Sequence, residues 1–422
     1  MHSGLCPEVG SRGLVLCMTL ALPLVSVGSV AAQQSDTAAA EVDLSGDLLP
    51  AIDVEQENAF GRAWYQNFEL SGFGAFGFID SGETGTAPEG GFQIQEATIF
   101  VETDIWRNSS IFVEIQTNRL GADESKFIRT AEVYGHFRDL IETPSLNLGL
   151  KAGRIDIPFG EEYLAQDAPD NPLISFSAAY PYGWDEGVLL YGEAWGVGWI
   201  AAVTDGADDR SIEDNSEKAY NLKLYGDAFS WLYLSGSLMK NGDASKSAVE
   251  FGGSHFQPIG ASHPSTVGAS PSPAVDALLY EVDAKIRLGD NRLGGYLSGA
   301  FGQAAQDDAD DAFDRDLRWH TIEGLISGQG GLYLAARYSE VGTYDPVRGW
   351  HFDGKPTAGG NGAFGYDVER FRRVSLGVGW DPNPQVRLKV EVGEDDFKLI
   401  ESAIPGSDGS RTLFGVGLTM RF

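Results

Sequence analysis

The end of the chain constrains its fold more than any other stretch. Phe414, Val416, Leu418, Met420 and Phe422 fall on one face of an extended segment, and Gly415, Gly417, Thr419 and Arg421 fall on the other. Side chains alternate across a strand with a period of two, and no helical period fits this spacing. The same pattern recurs upstream. Val386, Leu388, Val390 and Val392 alternate with Arg387, Lys389 and Glu391, and Tyr280, Val282, Ala284, Ile286 and Leu288 alternate with Glu281, Asp283, Lys285 and Arg287. Ala97, Ile99, Val101, Thr103 and Ile105 alternate with Glu96, Thr98, Phe100, Glu102 and Asp104.

The pattern predicts sixteen strands, near 64–78, 92–106, 110–119, 128–138, 146–153, 186–191, 195–203, 218–225, 231–240, 277–288, 293–302, 317–327, 332–341, 369–380, 386–396 and 411–422. A soluble β-sandwich alternates too, so the connectors decide. Short ones (Arg107–Ser109, Gly192–Ala194, Gly226–Ser230, Gly289–Arg292, Gly328–Gly331, Asp381–Gln385, and the slightly longer Asp139–Ser145) are interleaved with long ones that include Arg154–Asp185, Asn241–Asp276 and Gly342–Val368. Short periplasmic turns and long extracellular loops are the rule for a transmembrane barrel. In lipid every backbone N–H and C=O must pair within the protein, so a strand protein can span only as a closed barrel. Aromatics near strand ends, at Trp106, Trp195, Trp231, Trp380 and Phe422, suit the interfacial girdles of such a barrel. The expected fold is therefore all-β, a transmembrane antiparallel β-barrel of about sixteen strands.

Three regions are expected. Residues 1–32 read as a secretory signal, with Arg12, an apolar run from Leu14 to Val30, and small residues at Val30-Ala31-Ala32. Residues 33–62 read as a flexible acidic segment, in which seven carboxylates face Arg62 alone. Residues 63–422 form the barrel. The two cysteines, Cys6 and Cys17, both fall in the signal, so the mature chain has no thiol for a disulfide or a metal. With 30 Lys and Arg against 61 Asp and Glu, a net charge of −31 argues against nucleic acid as a partner.

Two stretches carry a resemblance. They are FELSGFGAFGFIDSG (Phe68–Gly82) and LGLKAGRIDIPFGEEYLAQD (Leu148–Asp167), in which Gly153 to Gly160 stands where a strand ends in Gly-x-Φ-x-x-Pro-Phe-Gly. In both, the chain resembles bacterial outer-membrane porins of the phosphate-selective porin O/P family and its relatives. That resemblance implies a sixteen-stranded, usually trimeric channel for small solutes and ions, with phosphate drawn along a lysine- and arginine-lined path. It implies lipid and lipopolysaccharide as surroundings, and Phe422 as the signal read by the barrel-assembly machinery. The charge of −31 departs from the anion-selective picture.

Alternation assigns lumen-facing charges at Glu96, Glu102, Asp104, Glu114, Glu132, Lys151, Lys223, Lys285, Arg287, Arg337, Arg387 and Lys389. Glu102 and Asp104 are expected to face Lys285 and Arg287 across the pore, or else to pair with lateral neighbours. In the resembled porins the third extracellular loop, here Arg154–Asp185, folds inward. It would bring Glu161, Glu162, Asp167 and Asp170 to a constriction against Arg154, with Lys151 just before it. Acidic runs at Asp205–Asp209 and Asp307–Asp311 lack the ordered spacing of a calcium loop and read as an anionic rim. No Gly-x-Ser-x-Gly elbow, His-Glu-x-x-His or P-loop is present, so neither a catalytic residue nor a cofactor or metal is expected. The expected function is a passive, water-filled porin with weak charge selectivity. The rivals are a plugged structural or adhesive barrel, and an outer-membrane barrel enzyme.

Overall fold

A computed structural model describes residues 67–80, 90–117, 128–165, 167–178, 181–206, 218–241, 255–256, 275–289, 293–308, 315–343, 350–354, 364–399 and 409–422. The expected signal and acidic segment lie outside these residues, as do Asp208, Asp209, Asp310 and Asp311 of the acidic runs.

Sixteen strands pair in sequence order and close on themselves. They are β1 (Phe68–Asp80), β2 (Gly91–Trp106), β3 (Ser109–Thr117), β4 (Ile128–Thr143), β5 (Leu146–Asp156), β6 (Trp184–Ala194), β7 (Val197–Thr204), β8 (Ala219–Phe229), β9 (Leu232–Asn241), β10 (Val275–Gly289), β11 (Gly294–Asp308), β12 (Arg315–Ser327), β13 (Leu332–Thr343), β14 (Phe364–Asn383), β15 (Val386–Leu399) and β16 (Gly409–Arg421). Every ladder is antiparallel, and β1 pairs with β16 from Phe73–Arg421 to Asp80–Phe414. Reciprocal backbone bonds between Gly72 and Phe422, at 3.2 and 3.0 Å, finish the seam. Two further pairings stand apart. Trp350–Gly354 runs beside the start of β14, and Pro181–Tyr182 meets His255–Phe256.

The barrel carries its apolar side chains outward. On β16 Phe414, Val416 and Met420 are exposed, and Leu413, Gly415, Gly417 and Thr419 are buried. Val374, Leu376 and Val378 on β14 continue the outer belt, as do Leu388, Val390 and Val392 on β15. Glutamate, arginine, lysine and serine turn inward. This inversion fits lipid outside and water within, and it makes the fold that of an outer-membrane barrel. Trp106, Trp195, Trp231, Trp380 and Phe422 are all exposed at the short-turn end, where they form one aromatic girdle. Val390 lies between Val378 and Val416 in that belt. Val390→Arg is expected to cost about 2–4 kcal/mol, whereas Thr412→Arg, nearer the rim, costs about 0–1 kcal/mol. Urea titration of the barrel refolded into vesicles measures both.

Several connectors are tighter than the sequence expectation: Gly226–Ser230 becomes Ser230–Trp231, Asp381–Gln385 becomes Pro384–Gln385, and two others change more. β4 does not stop at Arg138. Asp139 takes a left-handed φ of 52° in a bulge, and the ladder with β5 resumes at Ile141, leaving Pro144–Ser145 as the turn. The turn after β6 is Trp195–Gly196, not Gly192–Ala194. Both residues have positive φ (54° and 79°), the two-residue hairpin geometry that matches strand twist.

Candidate functional site: the lumen and its inserted arm

The segment after β5 does not leave the barrel. Ile157–Ala178 folds back into the lumen and runs along the inner wall, so this arm occupies the side formed by β8 to β16.

Apolar packing seats its two ends. Ile157, Phe159 and Ala178 join Ala219, Met239, Leu279, Ala304, Leu317, Trp319, Val341 and Phe371 in a buried cluster drawn from seven consecutive strands. The wall is small at Ala219 and Ala304, which leaves room for Phe159 edge-on to Trp319 at 6.3 Å. A helical turn, α1 (Glu162–Ala165), follows.

The wall's cations hold the rest. Lys223 ion-pairs with Glu161 at 2.7 Å and donates to the Gly160 carbonyl, and Tyr233 donates to Glu161 at 2.9 Å. Arg337 binds Glu323 through Nε (2.6 Å), the Ser175 carbonyl (2.8 Å) and Asn171 Oδ1 (2.9 Å), with Glu162 at 3.5 Å. Lys389 Nζ donates to the carbonyls of Ala168, Asn171 and Leu173 at 2.7, 2.8 and 3.0 Å. Arg387 donates to the Pro169 and Asp170 carbonyls and pairs with Asp381. Arg421 pairs with Asp170 at 2.9 Å. Glu391 accepts the N–H groups of Ile174 and Ser175 at 2.5 and 2.8 Å. Arg373, fully buried, takes Asp395 in two bonds of 2.7 and 2.8 Å and donates to the Phe176 carbonyl.

Three of the four arm carboxylates singled out by sequence thus face wall cations. Burial pushes the Glu162 carboxyl up, against the opposing pull of Arg337 and of Ser177, whose N–H it accepts at 2.9 Å. Asp167 makes no ion pair among the described residues. It touches lumen water, yet protein surrounds it, and that crowding first, then Asp156 and Asp170, raises its carboxyl to about 6.

The arm touches the opposite wall, β1 to β6, only at its long-loop end, where Tyr163 and Phe176 pack on Ala131 of β4 and Trp184 of β6 and Tyr163 donates to Asp156. The inward row of this wall holds Glu96, bonded to Gln116 and Thr98, then Glu114, Glu132 and Lys151. Glu132 accepts the Asp156 N–H at 2.9 Å, and Lys151 lies 4.2 Å above the Tyr134 ring. Phe73, Phe100, Phe112, Tyr134, His136 and Tyr191 follow one another across this wall with centroids 4.9 to 6.0 Å apart.

Two expectations are corrected. Arg154 leaves the lumen, because it shares the register of Leu150 and Ala152 and pairs with the exposed Glu186 at 2.9 Å. Glu102 and Asp104 do not address Lys285 and Arg287 across the pore. Both bind Arg138, at 3.1 and 2.7 Å, while Arg287 binds Asp227 at 2.8 Å and Lys285 lies 4.1 Å from the Tyr296 ring. Short lateral pairs win because attraction falls with distance and water in the lumen screens the longer path. Sequence reasoning passed over Arg138, Glu323, Arg373 and Asp395, although strand parity would have turned each of them inward, and it placed Glu391 on the polar face without giving it a role.

No family model matches the chain, and no curated protein matches it. Solved structures do. An anion-selective porin from Comamonas acidovorans is 10% identical with a TM-score of 0.52, covering 84% of this chain and 99% of its own. The outer membrane channel DcaP of Acinetobacter baumannii is 10% identical with a TM-score of 0.53, covering 84% and 97%. OmpT, an outer membrane protein of Vibrio cholerae in its trimer form, is 13% identical with a TM-score of 0.50, covering 84% and 99%. These chains share its barrel fold.

Proposed function

We propose that the protein is an outer-membrane porin, an open passive channel for ions and small polar solutes with a weak preference for cations. One observation carries the ion preference: the arm engages four of the wall's cations and leaves its own Asp167 exposed to the lumen. Lys223, Arg337, Arg387 and Lys389 are engaged with the arm. Asp167 stays exposed and Glu96 half-exposed, while Glu114 and Glu132 are buried in the wall. A phosphate path like that of the O/P family would need those basic groups bare, so no tight phosphate site belongs to this reading. The structural relatives, a channel and an anion-selective porin, support passive conduction and leave its sign to the residues. A homotrimer, as in the OmpT trimer form, is the assembly we propose. Its setting is lipid and lipopolysaccharide, reached through the barrel-assembly machinery acting on Phe422. Catalysis has no part in it.

Planar-bilayer recording tests the proposal. A steady ionic current is expected, with a reversal potential of cationic sign under a salt gradient that shrinks as salt rises. The sign should depend on pH. Asp167 is ionised above about 6 and neutral below it, so cation preference is present at neutral pH and weakens as pH falls through about 6. Asp167→Asn should flatten that step. Absence of current would favour a plugged barrel, and anion selectivity blocked by micromolar phosphate would reverse the assignment of charge.

A further inference from the structure

A cleft of about 550 Å³ opens on the lumen at its short-turn end, where β5 to β10 meet their turns. Three tyrosines line it, Tyr191, Tyr225 and Tyr233, together with Asn147 and Glu193 and the Arg287–Asp227 pair. All of them belong to the inward parity of their strands.

Two of the rings lie flat. Tyr191 covers Gly149 and Tyr225 covers Gly198, and a Cβ at either glycine would collide with the ring above it. Glycine supplies a level seat, so one face of each ring rests on the sheet and the other is turned to the cleft. The hydroxyls are fixed differently. Tyr191 is bonded to His136 Nε2 at 2.6 Å and Tyr233 donates to Glu161 of the arm at 2.9 Å. Tyr225 and the carboxylate of Glu193 have no hydrogen-bond or ion-pair partner among the described residues. Around the rings, Glu193 accepts and Asn147 both donates and accepts. Arg287, held at 2.8 Å by Asp227, offers its remaining N–H groups.

We infer that this cleft binds a neutral polyhydroxylated solute of one or two pyranose rings, which rests its C–H face on Tyr191 and Tyr225 and directs its hydroxyls to the polar rim. The volume falls in the range of small-ligand sites. A simple anion would meet one cation, already paired, beside a bare carboxylate. A purely apolar ligand would bury Glu193 and Asn147 without partners, which is costly. A sugar has the required combination, a ring face without charge and a rim of groups that both donate and accept. The arm helps to shape the cleft, since the bond from Tyr233 to Glu161 ties its wall to the constriction. This inference deepens the channel reading by naming a solute class, and it rests on that reading only for how the solute arrives.

Calorimetric titration of the purified barrel in detergent with D-glucose and with maltose tests it, because binding in micelles needs no current. Saturable, weak binding of at least one sugar is expected. Tyr225→Leu should weaken it about ten-fold, the loss of one ring-face contact, and Glu193→Gln should weaken it less. Heat-modifiable mobility of both variants establishes that they fold. Binding of neither sugar, or binding that Tyr225→Leu leaves unchanged, overturns the inference, as does saturation by benzylammonium with no response to sugar. A barrel that binds sugar and carries no current instead overturns the channel reading alone.

Discussion

Excising the arm, with Phe159–Ala178 replaced by a short Gly-Ser bridge, should raise single-channel conductance several-fold. The barrel does not depend on the arm for closure: every ladder from β1 round to β16 is formed by the wall strands themselves. A sixteen-strand ring leaves an aqueous channel unless something fills it, and among the described residues the filling is one segment. The same deletion should invert the ion preference. It removes Glu161, Glu162, Asp167 and Asp170 and leaves Lys223, Lys389 and Arg421 without the groups that now hold them. Current rising together with a reversal potential of anionic sign is the expected pair of results, and phosphate should then slow the current. Unchanged conductance would mean that the arm is not what narrows the path.

The second large effect concerns stability. Arg373 and Asp395 are both fully buried and share two hydrogen bonds. Arg373→Met takes from the buried Asp395 its two-bonded cation and removes the donor to Phe176, and it should cost about 3–5 kcal/mol. Attraction between buried charges is largely offset by the cost of taking both from water. The double variant Arg373→Met with Asp395→Leu should therefore recover most of the loss. Urea midpoints of the two variants in vesicles make the comparison. If the double variant is as unstable as the single one, the pair is not the source of the penalty.

The wall was legible in the sequence because a strand buried on one side writes its geometry as a period of two. Phe414 to Phe422 and Val386 to Val392 assign both faces without help from any other strand. What a single strand cannot report is its neighbour's register. Arg138 takes Glu102 and Asp104 because β2, β3 and β4 bring those residues side by side, so of the two expectations the lateral pairing describes the wall and the pairing with Lys285 and Arg287 does not. Arg154 was misplaced although the signal was present. Counting by twos from Lys151 reaches Gly153 and Ile155 and skips it. The turn at Trp195–Gly196 escaped because tryptophan is a poor turn former by propensity, and a girdle position at the membrane surface overrides that preference. The arm's inward course followed from resemblance. Its fastenings, Arg373, Glu391 and Lys389, lie 197 to 218 residues further along, beyond the reach of any local pattern.

That separation sets an order of events. The arm emerges between β5 and β6, and apart from the contacts of Tyr163 and Phe176 with β4 to β6 its partners arrive with β8 to β16: Ile174 meets Glu391 across 217 positions, and Asp170 meets Arg421 across 251. Contacts so distant along the chain are the slowest to form, since the loop entropy must be surrendered before they repay it. Docking of the arm is consequently a terminal step of maturation, open only to a ring whose last strand has joined the first. Protease protection of Ala168 to Ser175 would then be a clock for completed assembly, appearing after the sheet itself is formed.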